Sequence, residues 1–234
     1  MMNEKNQDKT LTTSPRSGKH LPAAIIFDMD GTLVATTEAD FLAWQKVFSD
    51  AGRQLSFEDY FPLLGKKSQD VVYHELKLQG QDAENALHSK MRYFEEIVEQ
   101  KGIAMMPHAE ALLKELKTLQ IPLALATSSR KLKMELVLEE VGILEYFTVL
   151  VSGEDVINGK PKPDIFLLAA SKLQVIPEHC VVLEDAITGV TAAKAAGMKC
   201  IAITNTHDAD DLSIADMVIR DFSELSLPVI SALF

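Results

Sequence analysis

The chain has 234 residues, of which 47% are hydrophobic and 24% charged. That is a globular composition, sufficient for one sizeable core plus a smaller second unit. A formal net charge of −11 repels a polyphosphate backbone and argues against broad nucleic-acid binding, and no apolar run approaches the ~18 residues of a membrane-spanning helix.

Residues 1–20 place Lys5, Lys9, Arg16 and Lys19 among Ser, Thr and Asn, without an apolar stretch that would mark a secretory signal. They read as a flexible polar tail. Cys180 and Cys200 lie in apolar surroundings without metal-ligand spacing and read as buried thiols of a reducing compartment, so a cytoplasmic protein is expected.

From Leu21 onward short apolar runs alternate with longer helical patterns. The runs are Ala23–Phe27, Ile121–Ala126, Thr148–Val151, Cys180–Leu183, Cys200–Ile203 and Met217–Ile219, nearly continuous as in strands covered on both faces. Helices are expected over Leu132–Val141, stopped by Gly142, and Val190–Ala196, stopped by Gly197. The alternation predicts an α/β fold with a doubly wound parallel sheet, whose ligands bind beyond the carboxyl ends of the strands.

One interval breaks this rhythm. Between the first strand and Ile121 only helical patterns occur. Thr37-x-x-Asp40 resembles a capping box opening a helix with Phe41, Trp44, Phe48 and Ala51 on one face. A second helix is expected from about Asp82 to Gln100, with Leu87, Met91, Phe94 and Val98 as its apolar stripe. The excursion is too long for a simple crossover. It divides the chain into a core of residues 21–36 and 103–234 and a small inserted helical domain of residues 37–102.

Four segments carry chemistry. Asp28-Met29-Asp30-Gly31-Thr32 follows the first strand, and two carboxylates two positions apart in extended chain point the same way. They suit a nucleophile and a proton carrier, or an ordinary Asp-Gly turn. Thr127-Ser128-Ser129 offers hydroxyls and amides for an anion, or plain helix capping. Lys160-Pro161-Lys162-Pro163-Asp164 stiffens a turn around an ammonium that would neutralise a phosphoryl group, or forms a solvated basic turn. Glu184-Asp185 ends another strand and is an oxygen pair suited to Mg²⁺, or a pair of helix-capping acids. Each sits at a strand's carboxyl end or in the loop leading from one. Together they supply the parts of phosphoryl transfer, which separate turn coincidences would rarely assemble.

In this order the four segments resemble the motifs of the haloacid-dehalogenase-like hydrolases, and the helical insertion resembles the type-1 cap of their beta-phosphoglucomutase-like branch. The similarity covers about Leu21 to Asp221. It implies a Rossmann-like core and a Mg²⁺-dependent enzyme in which Asp28 attacks phosphorus and forms an aspartyl-phosphate, while Asp30 protonates the leaving group and then activates water. It further implies phosphoryl binding by Thr127, Ser128 and Lys160, and a metal held by Asp28, the Asp30 carbonyl and Asp185 with Glu184 assisting. The expected activity is a phosphatase of a small phosphorylated metabolite, a phosphosugar for preference, in a chain that is monomeric by default.

The alternative is a beta-phosphoglucomutase, which shares the first half of the chemistry and differs in excluding water. The branch's mutases resemble this chain at Thr36 and Trp44 but carry His where Asp40 stands, and an Arg near Ser68 for which Lys66 and Lys67 would substitute as point charges. Thr36, Asp40, Trp44, Lys66, Lys67, Ser129 and Arg130 are therefore candidate substrate contacts, whereas Lys90 and Arg92 read as solvent-facing. Hinges are expected near Val34–Thr37 and Gly102–Met106.

Overall fold

The protein is described by a computed structural model covering residues 21–234; the expected polar tail, residues 1–20, lies outside the described residues. In chain order come β1 (Ala24–Phe27), α1 (Thr37–Asp50), α2 (Phe57–Tyr60), α3 (Ser68–Asp70), α4 (Gly80–Lys101), α5 (Ala109–Thr118), β2 (Leu123–Ala126), α6 (Lys131–Glu140) and β3 (Val149–Val151). They are followed by α7 (Asp164–Leu173), β4 (Cys180–Glu184), α8 (Ile187–Ala195), β5 (Lys199–Ile203), β6 (Met217–Ile219) and α9 (Leu227–Ser231). All pairings are parallel, in the order β3-β2-β1-β4-β5-β6. This is the doubly wound arrangement, in which β1 lies centrally where the strand order reverses.

The apolar runs are continuous because successive residues feed two different interiors. Ile25, Phe27, Leu123, Leu125, Val181, Leu183, Ile201 and Ile203 face one side, with α5, α6 and α9 against them. Ala24, Ile26, Ala124, Ala126, Cys180, Val182, Cys200 and Ala202 face the other, under α7 and α8. The first face is bulky and the second mostly small, so helices on the second side approach the sheet closely.

α1 to α4 lie between β1 and β2 and enclose an apolar cluster of their own, including Trp44, Val47, Phe48, Leu55, Tyr60, Val72 and Leu87. The ends of α1 and α4 nearest the sheet instead join its larger face through Ala39, Ala43, Phe94, Ile97 and Val98. The two connections run side by side: Val34 bridges Met105, Ala35 N donates to Ala104 O at 2.9 Å and Met106 N to Leu33 O at 2.8 Å.

Two sequence expectations change. Thr37 does not cap α1: the N-cap is Thr36, whose main-chain carbonyl accepts from Asp40 N at 2.8 Å while its hydroxyl turns toward Asp30. On α4 the inward position is taken by Lys90, which is buried rather than solvent-facing, while Met91 is half-exposed; Ala51, expected on the apolar face of α1, lies just past its end and is exposed. A lysine can hold such a position only with a charged partner, and Asp40 supplies it. No helix among the described residues is long and apolar enough to cross a membrane.

Leu113 on α5 is fully buried in the larger face's cluster. Leu113→Ala should lower unfolding free energy by ~2–5 kcal/mol through lost burial and the cavity left behind, read as a reduced urea midpoint at unchanged slope.

Candidate active site

The carboxyl ends of β1, β2 and β4 are adjacent, so the segments that follow them converge. Asp28 continues the β1 pairing, its amide donating to Leu183 O at 3.0 Å. Its carboxylate lies beside Lys160, whose Nζ stands 2.6 Å from Asp28 Oδ1 and 2.6 Å from Glu184 Oε1. That ammonium is wholly buried and rests 4.9 Å from the Phe166 ring centroid. Burial pushes the Asp28 carboxyl well above its ordinary range despite Lys160. Burial also disfavours the charged lysine, but Asp28 and Glu184 outweigh it and raise the Lys160 pKa.

Glu184, expected to assist at the metal, has its oxygens committed elsewhere. Oε1 accepts from Lys160, and Oε2 accepts from the amides of Asp185 and Ala186, each at 2.7 Å. It fixes the lysine and the turn after β4. Asp185 instead accepts from Thr32 Oγ1 on Oδ1 and from Thr206 Oγ1 on Oδ2, both at 2.6 Å. Burial, followed by the neighbouring Glu184 charge, raises Asp185 to about 7. Thr32 closes the first motif but was given no role from sequence, and Thr206 was not among the sequence candidates: a lone buried hydroxyl supporting a carboxylate leaves no pattern in one sequence.

Asp30 is grasped on both oxygens. Thr36 Oγ1 at 2.5 Å and Lys133 Nζ at 2.6 Å meet Oδ1, while Ser129 Oγ at 2.6 Å and Thr127 Oγ1 at 3.3 Å meet Oδ2. Burial favours its neutral form, but Lys133 outweighs burial and the carboxyl falls below its usual range. Lys133 also stands 2.5 Å from Asp40 Oδ1. Asp40 additionally pairs with Lys90 and accepts from Tyr60 OH at 3.1 Å on Oδ2. These two lysines outweigh the effect of burial and depress the Asp40 pKa.

The remaining candidates divide. Trp44 edges the cleft but belongs to the helical cluster, 6.4 Å from the Phe48 ring in a T-shaped contact. Lys66 lines the cleft and pairs with Glu75 at 3.6 Å. Lys67 turns away, its Nζ bound to the carbonyls of Val156 at 2.8 Å and Ile157 at 3.5 Å. Arg130 also points away and pairs with Glu154 at 2.8 Å. Ser129 reaches Asp30 rather than a distal subsite, and the Ser128 hydroxyl donates to Gly65 O at 2.6 Å. Arg92 is exposed as expected, paired with Glu96 at 2.7 Å. Lys133 and Tyr60 were missed altogether. The available signal was a lysine on the buried stripe of a helix, beside Met134 and Val137.

The cleft encloses about 50 Å³ in this closed arrangement. Asp28, Asp30, Asp40, Glu184 and Asp185 face Lys90, Lys133 and Lys160 in and beside it. Five carboxylates against three ammoniums leave a formal charge of −2 in a region shielded from water. Asp185, without a bonded cation, and Asp28, raised despite Lys160, express that excess. Such an oxygen-rich, negatively charged site fits a hard divalent cation. Among the described residues no three acidic, His or Cys side chains form a closed metal cage. Mg²⁺ ordinarily needs none, since it binds through one or two carboxylates and keeps several waters.

Residues 25–203 match a family model described as haloacid dehalogenase-like hydrolase. The chain is 29% identical over 203 residues to validoxylamine A 7'-phosphate phosphatase of Streptomyces hygroscopicus subsp. limoneus, covering 87% of this chain and 95% of that protein. It is 30% identical over 215 residues to beta-phosphoglucomutase of Bacillus subtilis, covering 88% and 93%. Among solved structures, CbbY from Rhodobacter sphaeroides in complex with phosphate superposes with a TM-score of 0.80 at 30% identity, covering 88% of this chain and 97% of that one.

Gly189, in the first turn of α8, lies so close to Glu184 that a methyl group built on it overlaps the carboxylate. Gly189→Ala should displace Glu184 from Lys160 and lower stability by ~1–3 kcal/mol, as overpacking does. Urea unfolding measures this directly.

Proposed function

The chain belongs to the haloacid dehalogenase-like hydrolase family and is a phosphoryl-transfer enzyme, and from that premise we propose that it is a Mg²⁺-dependent phosphatase of a small phosphorylated carbohydrate. Asp28 is the nucleophile, Asp30 the acid and base, and Thr127, the Ser128 amide and Lys160 hold the phosphoryl oxygens. Asp28, the Asp30 carbonyl and Asp185 would hold the ion. When bound, it would supply Lewis-acid neutralisation of the phosphoryl oxygens. The helices of residues 37–102 serve as a cap over the cleft. Two free, buried thiols, Cys180 and Cys200, support a reducing, cytoplasmic setting.

In the first half-reaction an Asp28 oxygen forms a bond to phosphorus as the ester P–O bond breaks, and Asp30, which must enter this step protonated although Lys133 favours its carboxylate form, gives its proton to the departing alcohol oxygen. In the second, Asp30 takes a proton from water as the water oxygen bonds to phosphorus and the Asp28–phosphorus link breaks. Inorganic phosphate is released and Asp30 is protonated again. Proton transfer of this kind contributes roughly 10²–10⁴-fold. The grip of Thr36, Thr127 and Ser129 on Asp30 restrains the carboxylate through both steps.

One observation favours hydrolysis over mutase chemistry. Each cation lining the cleft is already paired with an acid: Lys66 with Glu75, Lys90 with Asp40, and Lys133 with Asp30 and Asp40. A bisphosphate-primed mutase needs spare positive charge for a second phosphate. With those lysines already paired, no spare positive charge lines the cleft for a second phosphate, and the paired groups suit the hydroxyls of a neutral sugar or polyol.

Phosphorus NMR with Mg²⁺ tests this reading on a panel of hexose and hexitol monophosphates, including beta-glucose 1-phosphate with a trace of glucose 1,6-bisphosphate. Inorganic phosphate should accumulate, and Asp28→Asn should abolish it. Conversion to glucose 6-phosphate without matching phosphate would establish the mutase instead, and silence across the panel would overturn the carbohydrate class. Mg²⁺ at a hundredfold excess over its dissociation constant should stabilise the fold by ~2.7 kcal/mol, an effect that Asp185→Asn should remove from thermal melts.

A further inference from the structure

Lys133 lies outside the four motifs, yet groups from three other parts of the chain meet at its ammonium. It projects from the first turn of α6 and is 3% exposed. Its Nζ stands 2.6 Å from Asp30 Oδ1 in the loop after β1, 2.5 Å from Asp40 Oδ1 on α1, and 4.7 Å from the Phe94 ring centroid on α4. A buried ammonium is costly unless paired, and a wholly apolar cluster in place of these charges would be at least as stable. Its placement therefore calls for another explanation.

We propose that Lys133 is a positioning residue for acid–base catalysis, holding the Asp30 carboxylate toward the leaving-group oxygen and tying that orientation to the helical segment through Asp40. Thr36, Ser129 and Thr127 contact Asp30 through neutral hydroxyls that rotate freely about their own bonds. Lys133 is the charged partner, and charge-assisted contacts are shorter and about twice as strong as neutral ones. Asp40 is in turn secured by Lys90 and Tyr60. A chain of contacts thus runs from α2 and α4, through α1 and α6, to the carboxylate that handles the proton.

This role rests on the phosphatase reading and has its own signature. An alkyl ester needs a proton on its departing alkoxide, whereas a nitrophenolate leaves without one. Loss of Asp30 alignment should therefore depress phosphoryl transfer from sugar esters far more than from aryl esters.

The experiment compares kcat/KM for p-nitrophenyl phosphate with that for the hexose or hexitol monophosphate hydrolysed fastest by the wild-type enzyme, both with Mg²⁺. This ratio reports phosphoryl transfer to Asp28, before water attacks. Lys133→Met should lose about 100-fold or more on the sugar ester and only a few-fold on the aryl ester. Asp40→Asn/Lys133→Met, which removes one charge of each sign and so preserves the balance of the buried cluster, should show the same selective loss. Lys133→Arg, which keeps the charge, should recover part of the sugar-ester rate. Equal losses on both esters in the folded variants, or no loss on either, would overturn the role of Lys133 while leaving Asp28-dependent hydrolysis intact. A wild-type enzyme inactive on both esters, or active without Asp28, would overturn the phosphatase reading and this proposal with it.

Discussion

The arrangement depends on sharing buried ammonium groups among carboxylates. Lys160 lies between Asp28 and Glu184, and Lys133 lies between Asp30 and Asp40. These shared ammoniums offset the cost of burying the carboxylates, and neither lysine could be buried alone. The consequences extend through the architecture. Glu184 must end β4 so that its second oxygen can hold the amides of the following turn, and Gly189 must lack a side chain so that Glu184 has room. The loop carrying Lys160 must likewise return across the carboxyl ends of the sheet.

The sheet serves this purpose by bringing short strands into register with their ends nearly level. Phe27 is opposite Leu125 on one side and Leu183 on the other, so Asp28, the Thr127 segment and the Glu184–Asp185 pair emerge close together. Small residues under α7 and α8 bring Phe166 near enough for its ring to floor the Lys160 ammonium. Packing on one face of the sheet thus determines the electrostatics at its edge.

Much of this was legible in the sequence because the responsible forces are local or periodic. Strands covered on both faces produce continuous apolar runs, and all six expected runs become strands, with no end shifted by more than two residues. Segments at strand ends converge by topology, so Asp28, Asp30, Thr127, Lys160 and Asp185 could be grouped before any distance was known. The helical segment was less legible because its polar residues are chosen by partners far away in sequence. Asp40 looks like a capping acid until Lys90, 50 residues on, and Lys133, 93 residues on, are seen beside it. Lys67 and Arg130 looked like substrate cations, but one binds main-chain carbonyls and the other a surface acid. A lysine within an apolar stripe was the visible anomaly at positions 90 and 133.

The Ser128 hydroxyl, given to the Gly65 carbonyl, has a further consequence for how this architecture can diversify. The segment that would cradle the phosphoryl group is fastened to the loop of the helical insertion, and Lys67 fastens the same loop to the turn before Lys160. Changes in length or course around residues 64–67 would therefore drag on the chemistry of the core. A substitution at Ser68, which lines the cleft without fastening it to the core, escapes that penalty. Evolutionary freedom in substrate choice is thus concentrated in side chains rather than in the backbone of the loop, a division of labour written into two hydrogen-bonded contacts.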